Sequence, residues 1–168
     1  RKLYILPFIA GTTGSLVFST LGKLAFHRAR PMAAFYTEPT YSFPSGHATI
    51  AIMLYGFIAY ILIKTTKKWK NKVNIFFGIS ILILLIGFSR LYLGVHYASD
   101  VWGGYLIGGI WLITSIGYSE YLLFDSIKKE EIHKKKFLYT GSLITLFIIV
   151  YLIIGINYNP QKNIEVNK

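Results

Sequence analysis

His96 and Asp100 stand four residues apart in the stretch FSRLYLGVHYASD, Phe88 to Asp100. On a helix, residues i and i+4 share a face, so the carboxylate can accept the imidazole N–H, fix the ring tautomer and leave the second nitrogen free to attack. That is the orienting logic of nucleophilic catalysis, although an isolated pair is equally an ordinary helix-surface contact. Upstream, Pro44–Ser45–Gly46–His47 has the form of a helix start. Pro44 and Ser45 suit the cap, Gly46 leaves backbone N–H groups bare toward an anion, and His47 falls in the first turn beside it. Taken alone, this tetrapeptide is a helix cap. Lys23, Arg30 and Arg90 add three cations. Arginine forks match phosphoryl oxygens with paired hydrogen bonds, and buried cations stabilise charge on those oxygens during transfer. Singly, Lys23 or Arg90 reads as a cation snorkelling to a membrane interface. Snorkelling does not ask for histidines. Together, two histidines, one acid and three cations form a set for phosphoryl transfer that needs neither metal nor cofactor.

The elements that must position these residues are long apolar blocks. Of 168 residues 54% are hydrophobic, and cysteine is absent, which excludes disulfides and thiolate chemistry. Five stretches contain no Asp, Glu, Lys or Arg: Leu3–Leu21, Ala48–Ile63, Val73–Phe88, Val101–Tyr118 and Leu138–Ile156. A bilayer core of about 30 Å needs roughly 20 apolar residues in a helix rising about 1.5 Å per residue. The second and third stretches reach that length only if their polar ends extend the helix. Five helices apolar all round would leave too little polar surface for a soluble protein. The expected fold class is all-α, a polytopic transmembrane bundle of about five helices. Residues 1–122 would form its core, 123–136 a basic cytoplasmic interfacial segment, and 137–168 an accessory transmembrane helix and tail.

The net charge of +11 matters less than its placement. With the first stretch starting inside, the inner positions hold Arg1, Lys2, the run from Lys64 to Lys72 and the run from Lys128 to Lys136. Twelve of the eighteen Lys and Arg fall there. The positive-inside rule assigns these segments to the cytoplasm, where basic tracts meet anionic lipid and not nucleic acid. The connections Gly22 to His47 and Ser89 to Asp100 then share the outer face, so the polar clusters meet on one side. Because the chain opens on Arg1, a preceding domain or further helices are expected in a longer protein.

Gly104 and Gly108, four apart in VWGGYLIGGIW, resemble a phosphate loop but are better read as close helix packing through small residues. The stretch Glu120 to Lys136 reads as an interfacial helix with a basic face, and His133 within it as a solvated residue. Phe35, Tyr36, Tyr41 and Phe43 suit a membrane interface. His27 and Arg28 are candidates for a second phosphate or for lipid headgroups.

Three segments, KLAFHRARP (Lys23 to Pro31), PSGH (Pro44 to His47) and SRLYLGVHYASD (Ser89 to Asp100), resemble the signature motifs K-x6-R-P, P-S-G-H and S-R-x5-H-x3-D of the type 2 phosphatidic acid phosphatase superfamily. Every signature position and internal spacing matches. Two features depart from the family pattern. Its membrane members have about six spans with two before the first motif, whereas one precedes it here, which points to an N-terminal truncation. The fifth stretch lies beyond the usual last core helix.

The resemblance implies an integral membrane lipid phosphatase, in a bacterial plasma membrane, with its site facing the extracytoplasmic side. It makes His96 the nucleophile of a phosphohistidine intermediate, Asp100 its orienting partner, and His47 the acid and then the base. Lys23, Arg30, Arg90, Ser45 and the Gly46 backbone would hold the phosphoryl oxygens. Phosphatidate, phosphatidylglycerophosphate, undecaprenyl diphosphate and a lipid A phosphate are all substrates within the family. Transfer to another lipid alcohol instead of water, and non-catalytic lipid binding or transport, are the alternatives. Binding alone would need the cations but not the acid–base set.

Overall fold

A computed structural model describes residues 2–32, 34–36, 38–125 and 144–155. It contains helices α1 (Lys2–Phe26), α2 (Gly46–Thr65), α3 (Trp69–Tyr92) and α4 (Ala98–Asp125), followed by a shorter apolar helix α5 (Ile144–Gly155). Among the described residues four helices are thus long and apolar enough to cross a membrane, against an expectation of about five for the chain. The described part of the fifth stretch is too short for a crossing, since about 20 residues are needed. Its remaining residues, with 126–136 of the interfacial segment, lie outside the described residues.

The polar ends do extend the second and third stretches. Helix α2 begins at Gly46 and ends at Thr65, where the Thr66 N–H still reaches the Leu62 carbonyl. Helix α3 takes in Trp69 to Lys72 from the basic run and continues to Tyr92. Helix α4 continues past Tyr118 to Asp125, so the expected interfacial segment starts inside it. Glu120 on that extension pairs with Lys64 of α2 and accepts a hydrogen bond from the Tyr60 hydroxyl at 2.7 Å, joining the two helices at the end opposite the motifs.

Helix α2 is the centre of the bundle and packs against α1, α3 and α4. Its Ala48, Ala51, Met53 and Phe57 are buried. The crossing with α4 is close because Gly104 and Gly108 face α2 backbone: a Cβ on Gly104 would lie 2.5 Å from the Ser45 carbonyl oxygen, and one on Gly108 would strike that of Thr49. The glycine pair is therefore a packing device. Ser15 and Ser19 of α1 and Ser115 and Ser119 of α4 are also buried, the small-residue contact by which membrane helices approach. By contrast Phe76, Phe77, Ile81, Leu84, Leu85 and Phe88 of α3 face outward, as lipid contact requires. Among the described residues α1 and α3 do not touch, which leaves one flank of α2 uncovered between them. Helix α5 packs beside α1, with Tyr151 buried against Phe18 and Phe26.

Candidate active site

All three motifs lie at one end of the bundle. Lys23 occupies the last turn of α1. That helix stops where His27 takes a left-handed conformation, φ 46°, its N–H closing on the Lys23 carbonyl at 3.1 Å. The chain then runs out and back. The Ser42 N–H bonds the Arg28 carbonyl at 2.9 Å, and the Ser42 hydroxyl bonds the Ala29 carbonyl at 3.0 Å, fastening the two arms of the loop. Lys23 and Arg30 converge on the returning arm. Lys23 donates to Thr40 Oγ1 and the Tyr41 carbonyl, and Arg30 donates through Nε to the Thr40 carbonyl at 2.7 Å.

Ser45 is the N-cap of α2 in backbone conformation, but its hydroxyl makes no capping bond and is buried without a partner. Its N–H donates to the Asp100 carbonyl at 2.9 Å, so the second motif hangs from the third. The free N–H groups that follow, at Gly46 and His47, face the anion-attracting end of the helix.

The third motif turns between helices. Helix α3 ends after Arg90, with Gly94 at φ 66° carrying the chain around, and α4 starts at Ala98. His96 therefore lies in the turn and not on the helix, which corrects the picture of two side chains on one helical face. Asp100 approaches His96 for another reason. It sits in the first turn of α4, and its Oδ2 accepts the Tyr97 N–H at 2.8 Å, as in a capping box. This places the same oxygen 3.5 Å from His96 Nδ1. Both side chains are buried, and Nδ1 has no other partner. The opposite ring nitrogen, Nε2, lies 3.4 Å from Arg30 Nη1. The second carboxylate oxygen accepts from Arg28 Nη1 at 2.6 Å. Arg28 thus pairs with Asp100 and stacks over the Tyr97 ring, and His27 packs edge-on against Tyr41.

A cavity of about 480 Å³ opens in front of this assembly. Its polar end is lined by Lys23, Glu38, Thr40, Gly46, His47 and His96, and its other end by Leu16, Ile50, Ala51, Leu54, Tyr55 and Ile86. Asp100, Ser45, Arg30 and Arg90 are not among its lining residues. Arg90 donates to Ser89 Oγ and to the Tyr36 hydroxyl, both at 3.2 Å. Among the described residues no three His, Asp, Glu or Cys side chains converge as a metal cage.

Glu38 was not singled out by the sequence reading. It accepts from Arg30 Nη2 at 2.5 Å and from the Tyr36 hydroxyl at 3.1 Å, linking two of the cations. Partial burial pushes its carboxyl upward, but the Arg30 charge, the Tyr36 hydrogen bond and the two histidines outweigh that and hold it below the usual range. A signal was present, since Glu38 is the sole acid between Gly22 and His47, among Lys23, Arg28 and Arg30.

Residues 4–124 match the family model of the PAP2 superfamily. Phosphatidylglycerophosphatase B of Bacillus subtilis (strain 168) is 40% identical over 115 residues, 62% of this chain and 56% of that protein. Undecaprenyl-diphosphatase of Sulfolobus acidocaldarius is 32% identical over 106 residues, 62% of this chain and 46% of that one. The chain spans about half the length of these curated relatives. Among solved structures, the crystal structure of the first transmembrane PAP2 type phosphatidylglycerolphosphate phosphatase from Bacillus subtilis superposes with a TM-score of 0.65 at 32% identity, over 69% of this chain and 59% of that one. The family match takes in nearly all of the four long helices and all three motifs, and with it the chain belongs to the PAP2 superfamily as an integral membrane protein.

Proposed function

We propose that this chain hydrolyses the phosphate ester of a membrane lipid, a monoester or a diphosphate, through a phosphohistidine on His96. The observation that carries the reading is the two-sided setting of one ring. Nδ1 of His96 backs onto the buried Asp100 carboxylate, and Nε2 faces Arg30 at the polar end of a cavity whose other end is apolar. The 3.5 Å separation from Asp100 is loose, as catalytic contacts are before substrate binds.

In the first step Nε2 attacks the terminal phosphorus as its bond to the bridging oxygen breaks, an ester bond in a monoester and an anhydride bond in a diphosphate, and protonated His47 gives the departing oxygen its proton. In the second, the now neutral His47 takes a proton from a water that attacks phosphorus. The N–P bond breaks, and inorganic phosphate leaves. Lys23, Arg30, Arg90, Ser45 and the bare N–H groups at Gly46 hold the phosphoryl oxygens. Arg30 and Arg90 reach them once Glu38 and Tyr36 yield their places. Asp100 stays paired with Arg28 when Glu38 releases Arg30, so no two free carboxylates stand together for a hard divalent cation.

The apolar half of the cavity takes the lipid chain, entering between α1 and α3. The site faces the extracytoplasmic side, because the basic connection from Lys64 to Lys72 lies at the other end of the bundle. The names of the relatives, a phosphatidylglycerophosphatase and an undecaprenyl-diphosphatase, support a phosphorylated lipid of either kind.

The test is phosphate release in excess EDTA from phosphatidate, phosphatidylglycerophosphate and undecaprenyl diphosphate, with His96→Ala beside wild type. Release by wild type alone is expected. Near-normal release by a folded His96→Ala protein would overturn the assignment.

A further inference from the structure

Glu38 is a carboxylate in a cavity that is otherwise suited to an anion, and the proposed chemistry gives it no task. It lines the polar end beside His47, His96 and Lys23 and bonds Arg30. A carboxylate in contact with a phosphate cradle repels the ligand, so its presence needs a reason.

The charges around it supply one. Arg28 and Asp100 cancel as a pair at 2.6 Å. Lys23, Arg30 and Arg90 bring three positive charges, and Glu38 removes one of them through Arg30 and, by way of the Tyr36 hydroxyl, touches the network of Arg90. With the His47 proton reserved for the leaving oxygen, the remaining charge of about +2 equals in magnitude that of a phosphomonoester dianion near neutral pH. A lipid diphosphate carries one negative charge more. The five N–H groups of Arg30 all have neighbours: Nε bonds the Thr40 carbonyl, Nη1 the Val95 carbonyl with His96 Nε2 at 3.4 Å, and Nη2 bonds Glu38 and Thr40 Oγ1. An incoming phosphoryl oxygen therefore competes with the carboxylate for Nη2, and every further negative charge on the ligand meets Glu38 at close range.

We propose that Glu38 is a specificity-determining residue that matches the cradle to a phosphomonoester and disfavours a diphosphate. This rests on the phosphate-binding reading above and deepens it. The curated relatives include a protein named for each kind of substrate, so the distinction is one this fold has to make.

The experiment compares dioleoyl phosphatidate with dioleoylglycerol diphosphate, identical in their chains, for wild type, Glu38→Gln and Glu38→Asp. Wild type is expected to favour the monoester in kcat/KM. Glu38→Gln should shift the ratio toward the diphosphate by roughly tenfold, a modest share of what a unit charge a few ångströms away exerts. Glu38→Asp, which keeps the charge, should retain the wild-type preference. An equal loss on both substrates would mean that Glu38 only holds the loop, and would overturn the proposal. A separate arm titrates the purified proteins with orthophosphate and pyrophosphate, following the histidine NMR signals. Glu38→Gln should gain affinity for pyrophosphate relative to orthophosphate, and an unchanged ratio overturns the inference even where no lipid is turned over. Loss of all lipid hydrolysis in wild type with the anion ratio still shifted would remove the hydrolase reading and leave the role of Glu38 in place.

Discussion

Arg28 grips the buried Asp100 carboxylate at 2.6 Å, on the oxygen turned away from His96. The other oxygen is held by the Tyr97 N–H, and the carbonyl of the same residue holds Ser45. Asp100 is thereby the joint at which the loop after α1, the start of α2 and the start of α4 are fastened. A carboxylate this buried is tolerable because a cation neutralises it, and removing that cation leaves an uncompensated charge. Arg28→Ala should destabilise the protein by about 2 kcal/mol, below the usual 3–5 for a buried pair because Arg28 is partly exposed and screened. Thermal unfolding in detergent measures the loss. The double variant Arg28→Ala/Asp100→Ala should cost less than the sum of the single ones. Additive losses would show that the two groups are not coupled.

How much of this was legible in the sequence depends on range. The spacing of Lys23, Arg30, Ser45, His47, Arg90, His96 and Asp100 marked a candidate site whose residues the fold brings to one end of the bundle, and uncharged stretches marked the four long helices, because both signals are local. The His96–Asp100 proximity was anticipated for the wrong local reason: a turn at Gly94 and a capping bond produce it, not a shared helical face. The partnerships of Arg28 and Glu38 were not legible. Arg28 reaches Asp100 across 72 residues of chain, and no pattern in sequence fixes which of several neighbouring cations takes which acid. Of the fifth stretch, Leu138–Ile156, the described residues hold the helix Ile144–Gly155, and the rest of it lies outside them.

His47 and His96 line the same cavity but are assigned to different bonds, and substrate chemistry can separate them. With a lipid alkoxide as leaving group, His47→Ala should slow turnover about 10²–10⁴-fold, the usual worth of a positioned acid. An aryl phosphate, whose leaving group needs no proton, should restore the first step in that variant but not the second. The phosphohistidine should then accumulate and be visible by phosphorus NMR as one equivalent on His96. Equal impairment with both leaving groups would remove His47 from the acid role.

The Glu38 carboxyl lies below its ordinary value of 4.5, because the Arg30 charge, the Tyr36 hydroxyl and the nearby His96 and His47 outweigh its desolvation. For a depressed acid, the ion pair is fully formed above the unperturbed pKa and is lost only as pH falls through the lowered one. The difference in substrate ratio between wild type and Glu38→Gln should therefore stay flat from about pH 8 down to about pH 5 and shrink only below that. Measuring the ratio across this range checks it. A difference that fades near pH 6 would mean that the carboxyl titrates high and that Arg30 does not hold it.

The uncovered flank of α2 makes a last prediction about the lipid chain. Leu16 of α1, Ile50 and Leu54 of α2, and Ile86 of α3 line the apolar half of the cavity where α1 and α3 stand apart. A chain passing from bilayer into this groove exchanges one apolar surrounding for another, so no hydrophobic gain draws it in. The groove must act by shape, admitting the chain or excluding it. Leu54→Trp adds bulk there without touching the polar end. It should lower kcat/KM for a long-chain phosphatidate by roughly tenfold or more, since overpacking costs about 1–3 kcal/mol. Hydrolysis of a short water-soluble phosphate ester should stay within about twofold, because that substrate never enters the groove and each tenfold in rate corresponds to about 1.4 kcal/mol. Equal loss on both would mean that the tryptophan disturbs the histidines, whereas no loss on either would put the lipid path elsewhere in the bundle.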